Sequence, residues 1–203
     1  LMKNLIVVTG GAGFVGSNLI NFFLKETKKK LVSIDNYSTG TKNNNIKKKR
    51  IKYIKCETKE ISKYLKKEKN KIDTVFHFGE FARIFQSFQK FDECLESNLI
   101  GSKAVFQFCL ENNIKLIYSA TSASLGNKGE DKNLSPYAFT KSKNLEFLEN
   151  MKKWFKFKFE IIYFYNVYGP NQIKEGDMAT VIGIFEHEYE KKNPLPVVKQ
   201  GKK

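Results

Sequence analysis

The stretch Leu5-Ile6-Val7-Val8-Thr9-Gly10-Gly11-Ala12-Gly13-Phe14-Val15-Gly16-Ser17-Asn18-Leu19-Ile20 joins a short apolar run to three spaced glycines and then to helical periodicity. It reads as strand, tight turn and helix. A run this short and rich in branched residues suits a strand buried in a parallel sheet. Gly10, Gly13 and Gly16 allow a sharp turn, close approach of the backbone to a ligand, and packing of helix on strand. The helix start at Phe14 and Val15 then faces an anion, because its unpaired N–H groups and the positive end of the helix dipole favour one. A dinucleotide pyrophosphate fills such a position.

A lone glycine motif is weak, and a glycine-rich turn that binds nothing is the bland alternative. The next segment adds weight. Leu31-Val32-Ser33-Ile34 is a second apolar run and ends in Asp35, about 20 residues beyond the motif, where a carboxylate takes both hydroxyls of an adenosine ribose. Asp35 would repel a 2′-phosphate, and no arginine follows nearby to receive one, Lys42 being the next cation. NAD is therefore expected in preference to NADP.

Composition narrows the class. The chain has 203 residues, enough for one well-buried domain, and its 41% hydrophobic and 14% aromatic content is that of a globular protein. No apolar run approaches membrane-spanning length, and Lys3 precedes a strand and glycine turn rather than a signal-peptide core. Cys56, Cys94 and Cys109 are odd in number, widely spaced and without a CxxC pair, so they read as packing residues in a reducing cytoplasm. The net charge of +15 raises the question of nucleic acid. Almost all of it is lysine, with arginine only at Arg50 and Arg83, and abundant Asn, Ile and Phe point to A/T-rich codons instead. The lysine clusters at 28–30, 47–49 and 66–67 sit between apolar segments and read as solvated surface, so no nucleic-acid partner is expected.

Taken in order, strand-like and helix-like segments alternate. Ile51-Lys52-Tyr53-Ile54 is a third strand, residues 61–69 are helical, and Asp73-Thr74-Val75-Phe76-His77-Phe78 is a fourth strand. Residues 93–113 form a long helical stretch, followed by the strand Lys115-Leu116-Ile117-Tyr118-Ser119. Residues 137–152 are helical with Ser135-Pro136 at the start, and Phe159-Glu160-Ile161-Ile162-Tyr163-Phe164 is a sixth strand. This alternation implies an α/β fold, a doubly wound, mainly parallel sheet with ligands at the carboxyl ends of its strands.

Late in this sheet, Tyr137 and Lys141 stand at i and i+4 on one helical face. Such a pair is common by chance. Its neighbours raise its significance: Ser119-Ala120-Thr121-Ser122 ends the fifth strand with hydroxyls, Asn98 lies in the long helix, and Asn166-Val167-Tyr168-Gly169-Pro170 follows the sixth strand.

With these segments together, the chain resembles the extended short-chain dehydrogenase/reductase family, and within it the nucleotide-sugar epimerases and dehydratases. The glycine turn, Asp35-Asn36-Tyr37-Ser38-Thr39-Gly40, Val75-Phe76-His77-Phe78, Ser97-Asn98-Leu99-Ile100-Gly101 and Tyr165-Asn166-Val167-Tyr168-Gly169-Pro170 carry the resemblance over essentially the whole chain. It implies a Rossmann-type cofactor domain over 1–170 and, over 171–203, the beginning of a smaller substrate-binding part that the chain does not complete. It implies NAD held by Gly10, Gly13, Phe14, Val15, Gly16, Asp35, Asn36, Glu57, Phe78, Gly79, Asn98, Tyr137 and Lys141. A nucleotide-sugar substrate would meet Ser122 and Asn166, and the full-length protein would be a homodimer with no membrane contact.

The resemblance further implies that Tyr137 is the general base, that Lys141 stabilises its phenolate and holds the nicotinamide ribose, and that Thr121 bonds the reacting sugar hydroxyl. Hydride passing to NAD and back to the other face of a keto intermediate would invert one carbon with no net redox change. Dehydratases of the family carry an Asp-Glu pair after the catalytic threonine, whereas Ser122-Ala123 follows Thr121 here. Epimerisation is therefore the first reading, with dehydration, reduction or a catalytically silent NAD-binding protein as alternatives, and Ser122 as an alternative hydroxyl donor. The chain departs from the family at Glu57, usually an aspartate near the adenine, at Leu125, usually a tyrosine, and in the shortened link from Thr121 to Tyr137. Glu80, where small residues are usual, reads as an outward-facing loop charge ahead of a displaced catalytic acid, and His77 as structural.

Overall fold

The computed structural model of the chain describes residues 3–122 and 126–197. Ala123 and Leu125, singled out above, and residues 198–203 lie outside the described residues. Six strands form one parallel sheet: β1 Leu5–Thr9, β2 Lys30–Asp35, β3 Ile51–Lys55, β4 Ile72–His77, β5 Lys115–Thr121 and β6 Phe159–Phe164. Their order is β3-β2-β1-β4-β5-β6, every neighbouring pair parallel. The expected α/β fold, a Rossmann-type doubly wound sheet, is the one observed.

Burial explains why the central strands read as unbroken apolar runs. All five residues of β1 are buried. Because successive side chains point to opposite faces, Leu5 and Val7 join one core cluster while Ile6 and Val8 join the other. The larger cluster contains Val105 and Phe106 of α5 (Ser102–Glu111) and Leu148 and Met151 of α6 (Pro136–Phe155); the smaller contains Ile20 and Leu24 of α1 (Phe14–Glu26). The sheet is thus covered on both sides, as a parallel sheet requires.

Three local features place the cavity described below. Order reverses at β1, which is flanked by β2 on one side and β4 on the other, so a crevice opens where the connections part company. Helix α6 is pinned at its start by Ser135, whose Oγ accepts from the Ala138 N–H at 3.0 Å with Pro136 in the first turn, and it ends in left-handed Lys156. Its buried stripe runs Ala138, Lys141, Asn144, Leu148, Met151, so a lysine and an asparagine face the sheet among apolar neighbours. The predicted helix over 93–113 is instead α4 (Phe91–Leu95), a π-helical segment Glu96–Gly101, and α5. A Cβ on Gly101 would stand 2.3 Å from Thr58 Oγ1, so only glycine lets this segment lie against the turn after β3.

Two helices escaped the sequence reading, α3 (Ile84–Gln89) and α7 (Val181–Glu190). The first is short, and α2 (Ile61–Leu65) likewise stops before the predicted Lys69. The shortened link from Thr121 to Tyr137 holds a 3₁₀ turn over Gly126–Asn133. Beyond β6 the chain returns to α1, where Asn18 Nδ2 donates to Pro170 O at 2.7 Å and Asn171 Nδ2 to Ser17 Oγ at 3.1 Å.

Gly16 is inside α1, where alanine ordinarily gains about 1 kcal/mol of helix propensity. A Cβ there would sit 2.2 Å from Gly10 O. The clash dominates, so Gly16→Ala is expected to lower stability by about 1–3 kcal/mol, read as a lower urea midpoint at unchanged m-value.

Candidate active site

The carboxyl ends of β1, β2, β4 and β5 surround a cavity of about 600 Å³. At its first end, Gly10 takes φ +70°, and a Cβ on it would meet Gly79 N at 2.8 Å; one on Gly79 would meet Gly10 N at 2.7 Å. The two backbones touch, and Thr9 Oγ1 accepts from the N–H groups of both Phe78 (3.1 Å) and Gly79 (3.0 Å). Helix α1 then begins at Gly13 with no side-chain cap and no acid in its first turn. Helix geometry leaves the N–H groups of Phe14, Val15 and Gly16 without intrahelical acceptors, and all three residues line the cavity. Such a helix start suits a phosphate.

Asp35 ends β2 beside this turn. Its Oδ2 accepts from Ala12 N at 2.9 Å and its Oδ1 from Tyr37 N at 2.8 Å, which aims the carboxylate at the cavity. Burial raises its pKa above the usual aspartate value in spite of these backbone bonds. Asn36 Nδ2 donates to both Glu57 oxygens at 3.2 Å, and the pair forms the adjoining wall.

The other end of the cavity gathers Thr121, buried at the end of β5, with Tyr137 and Lys141 of α6. Lys141 Nζ donates to Ser119 O at 2.6 Å and to Ser119 Oγ at 3.3 Å, and lies 4.9 Å from the centre of the Tyr118 ring. It is also ion-paired with Glu80, and here the sequence reading needs correction. Glu80 is no outward-facing charge: its side chain is 1% exposed and that of Lys141 4%. Glu80 Oε1 accepts from Ser102 Oγ at 2.7 Å, Tyr118 Oη at 3.0 Å and Asn144 Nδ2 at 3.2 Å, while Oε2 takes the lysine. A buried lysine requires such a partner.

His77 is structural. It is fully buried between Thr9 Oγ1 (2.7 Å from Nδ1) and Ser102 Oγ (2.9 Å from Nε2), and burial lowers its pKa to about 4. The three cysteines are buried free thiols.

Phe78 and Gly79 line the cavity as expected, but three expected site residues do not. Asn98 is fully buried in the π-helical segment, bonded to Phe81 N (2.7 Å), Phe81 O (3.0 Å) and Thr140 Oγ1 (3.1 Å). It shapes the 78–83 segment from behind instead of touching the cavity. Ser122 is half-buried and Asn166 exposed, both outside the lining. Sequence reasoning missed Arg83, whose Nε donates to Met178 O at 3.0 Å and whose pKa burial lowers, together with Ser119, Gln172 and Thr180 in the lining.

Residues 6–203 match the sequence profile of the NAD dependent epimerase/dehydratase family. The chain belongs to that family. It is 28% identical over 193 residues to an ADP-L-glycero-D-manno-heptose-6-epimerase of Brachyspira hyodysenteriae, covering 87% of this chain and 59% of the relative. Among solved structures, a UDP-N-acetylglucosamine 4-epimerase from Methanobrevibacter ruminantium, in complex with UDP-N-acetylmuramic acid, is 27% identical with a TM-score of 0.84. That match covers 98% of this chain and 66% of the other. A UDP-glucose 4-epimerase from Thermotoga maritima with UDP-glucose, at 22% identity and TM-score 0.86 over 97% and 66% of the two chains, shares the fold. The chain therefore spans between about 59% and 66% of the length of these relatives. No helix among the described residues is long and apolar enough to cross a membrane.

The donor set fits the family's NAD: the uncapped start of α1 would suit its pyrophosphate and Asp35 a ribose. Asp35→Ala is expected to weaken NAD by about 1–3 kcal/mol and to erase its advantage over NADP, measured by calorimetry. Because the Asp35 pKa is raised, protonation and loss of this acceptor begin above the ordinary aspartate value. NAD affinity of the wild type should fall on acidification through that higher pH, a fall that the alanine variant lacks.

Proposed function

We propose that the protein catalyses NAD-dependent epimerisation of a nucleotide sugar through a transient keto intermediate. One observation carries this reading: a single cavity runs from Asp35 and the uncapped start of α1 to Thr121, Tyr137 and Lys141. Bound NAD supplies the hydride acceptor and donor. Tyr137 Oη takes a proton from the reacting hydroxyl and later returns it, Thr121 orients that hydroxyl, and Lys141 anchors the ribose side of the site. Free tyrosine titrates at about pH 10, so a phenolate at neutral pH needs nearby positive charge, to which the oxidised nicotinamide of NAD would contribute when bound.

Epimerisation is favoured over dehydration because elimination needs a further acid or base next to the threonine. Ser122 stands there, away from the cavity, and the carboxylate of Glu80 is engaged by Lys141. We assign 1–170 to the cofactor domain and 171 onward to the substrate-binding part, in keeping with Gln172, Ile173, Met178 and Thr180 on the cavity wall. The buried thiols suit a reducing cytoplasm, and the exposed rings of Phe85, Phe88 and Phe91 on α3 and α4 suit a homodimer.

The test is turnover of a panel of nucleotide sugars, with epimers separated by chromatography, for wild type and Tyr137→Phe. The variant should lose about 10²–10⁴-fold in rate and retain NAD affinity. Near-normal turnover would remove Tyr137 from the mechanism, and NAD binding with no turnover of any sugar by the wild type would favour the silent NAD-binding alternative.

A further inference from the structure

Lysine has three ammonium protons and no acceptor. Those of Lys141 go to Glu80 Oε2, Ser119 O and, at the longest distance, Ser119 Oγ. Two strong anchors therefore hold the ammonium in the wall, and the 3.3 Å bond is the one a ligand hydroxyl can replace.

The protons along the chain behind Glu80 can be assigned by counting. Thr9 Oγ1 already accepts from two backbone N–H groups, so its hydroxyl donates to His77 Nδ1. His77 is neutral, with its proton on Nε2, which donates to Ser102 Oγ. Ser102 then donates to Glu80. With Tyr118, Asn144 and Lys141 also donating, every partner of Glu80 is a donor, the setting of an ionised carboxylate.

The charges around Tyr137 follow. On β4 and β5, His77 and Tyr118 are neutral, the latter because burial raises its pKa well above the ordinary value. Cys94 of α4 is a thiol, its pKa also raised by burial. Arg83, on the segment after β4, keeps its guanidinium charge. Glu93 of α4 and Glu96 of the π-helical segment line the same cavity, and Glu80 and Lys141 add the buried ion pair.

We propose that Glu80 is a positioning residue for Tyr137 that acts through Lys141: its carboxylate fixes the ammonium in the cavity wall and cancels most of that charge at the phenol one helical turn away. This rests on reading Tyr137 and Lys141 as the acid–base pair.

The experiment needs no substrate. The ionisation of Tyr137 is followed by near-ultraviolet phenolate absorbance as the difference between each protein and its own Tyr137→Phe counterpart. Glu80→Gln should lower the midpoint by about one pH unit and Lys141→Met should raise it by about as much. Leaving Lys141 buried without a counter-charge endangers folding, so the paired variant Glu80→Gln/Lys141→Met, which removes both charges, provides the second measurement. Its midpoint should stay within about half a pH unit of the wild type. An unmoved midpoint in Glu80→Gln, or a double variant that rises as far as Lys141→Met alone, overturns the proposal. Turnover is read separately: if Tyr137→Phe keeps its rate the catalytic reading fails, while the titration still reports whether Glu80 sets the charge at Tyr137.

Discussion

The contact between the backbones of Gly10 and Gly79 is the constraint on which the site depends. Strands β1 and β4 are paired up to Thr9 and His77, and just past that pair neither chain has room for a Cβ. Thr9 Oγ1 closes the junction by taking the N–H groups of Phe78 and Gly79. The close approach draws the start of α1 over the point where strand order reverses, with its first N–H groups facing the cavity. It also fixes the direction of the chain leaving β4. Glu80, one residue on, is turned inward between β5, α5 and α6, where Tyr118, Ser102, Asn144 and Lys141 meet it.

Much of this was legible in the sequence because the signals were local. The strands announced themselves as apolar runs since both faces of a parallel sheet are covered, and Ser135-Pro136 marked the start of α6 because capping chemistry acts over three residues. The glycine spacing and Asp35 carried the cofactor end. Glu80 was misread because nothing within a turn of it reports burial: its partners are 22, 38, 61 and 64 positions away. A signal did exist on the other side of the pair. Lys141 and Asn144 fall on the buried stripe of α6 with Ala138, Leu148 and Met151, and a lysine on such a stripe demands a carboxylate from elsewhere in the fold.

The surroundings of Asn98 escaped the sequence for a related reason. The stretch 93–113 reads as one uninterrupted helix, whereas a π-helical segment carries Asn98 and directs both the donor and the acceptor of its side chain to the backbone of Phe81. Single π turns tend to occur at functional sites. Here the extra residue in the turn supports the cavity wall, and the asparagine acts by holding the 78–83 segment in place.

The buried pair is costly as a stabilising device. Two charges removed from water lose solvation that their mutual attraction barely restores, and well-packed apolar residues of similar volume commonly do as well or better. The surrounding donors reduce that cost by satisfying the carboxylate, and the hydrogen bonds from Thr9 through His77 and Ser102 all run toward it, so no acceptor in that chain is left without a donor. What the arrangement provides beyond stability is a charged amine held in one position beside a phenol, with its net charge nearly cancelled. Without Glu80 the same ammonium would hold its charge only at a cost in stability. Paired with Glu80, Lys141 is held in a buried wall, and its bond to Ser119 Oγ, the longest of the three, leaves one donor weakly engaged for a ligand hydroxyl.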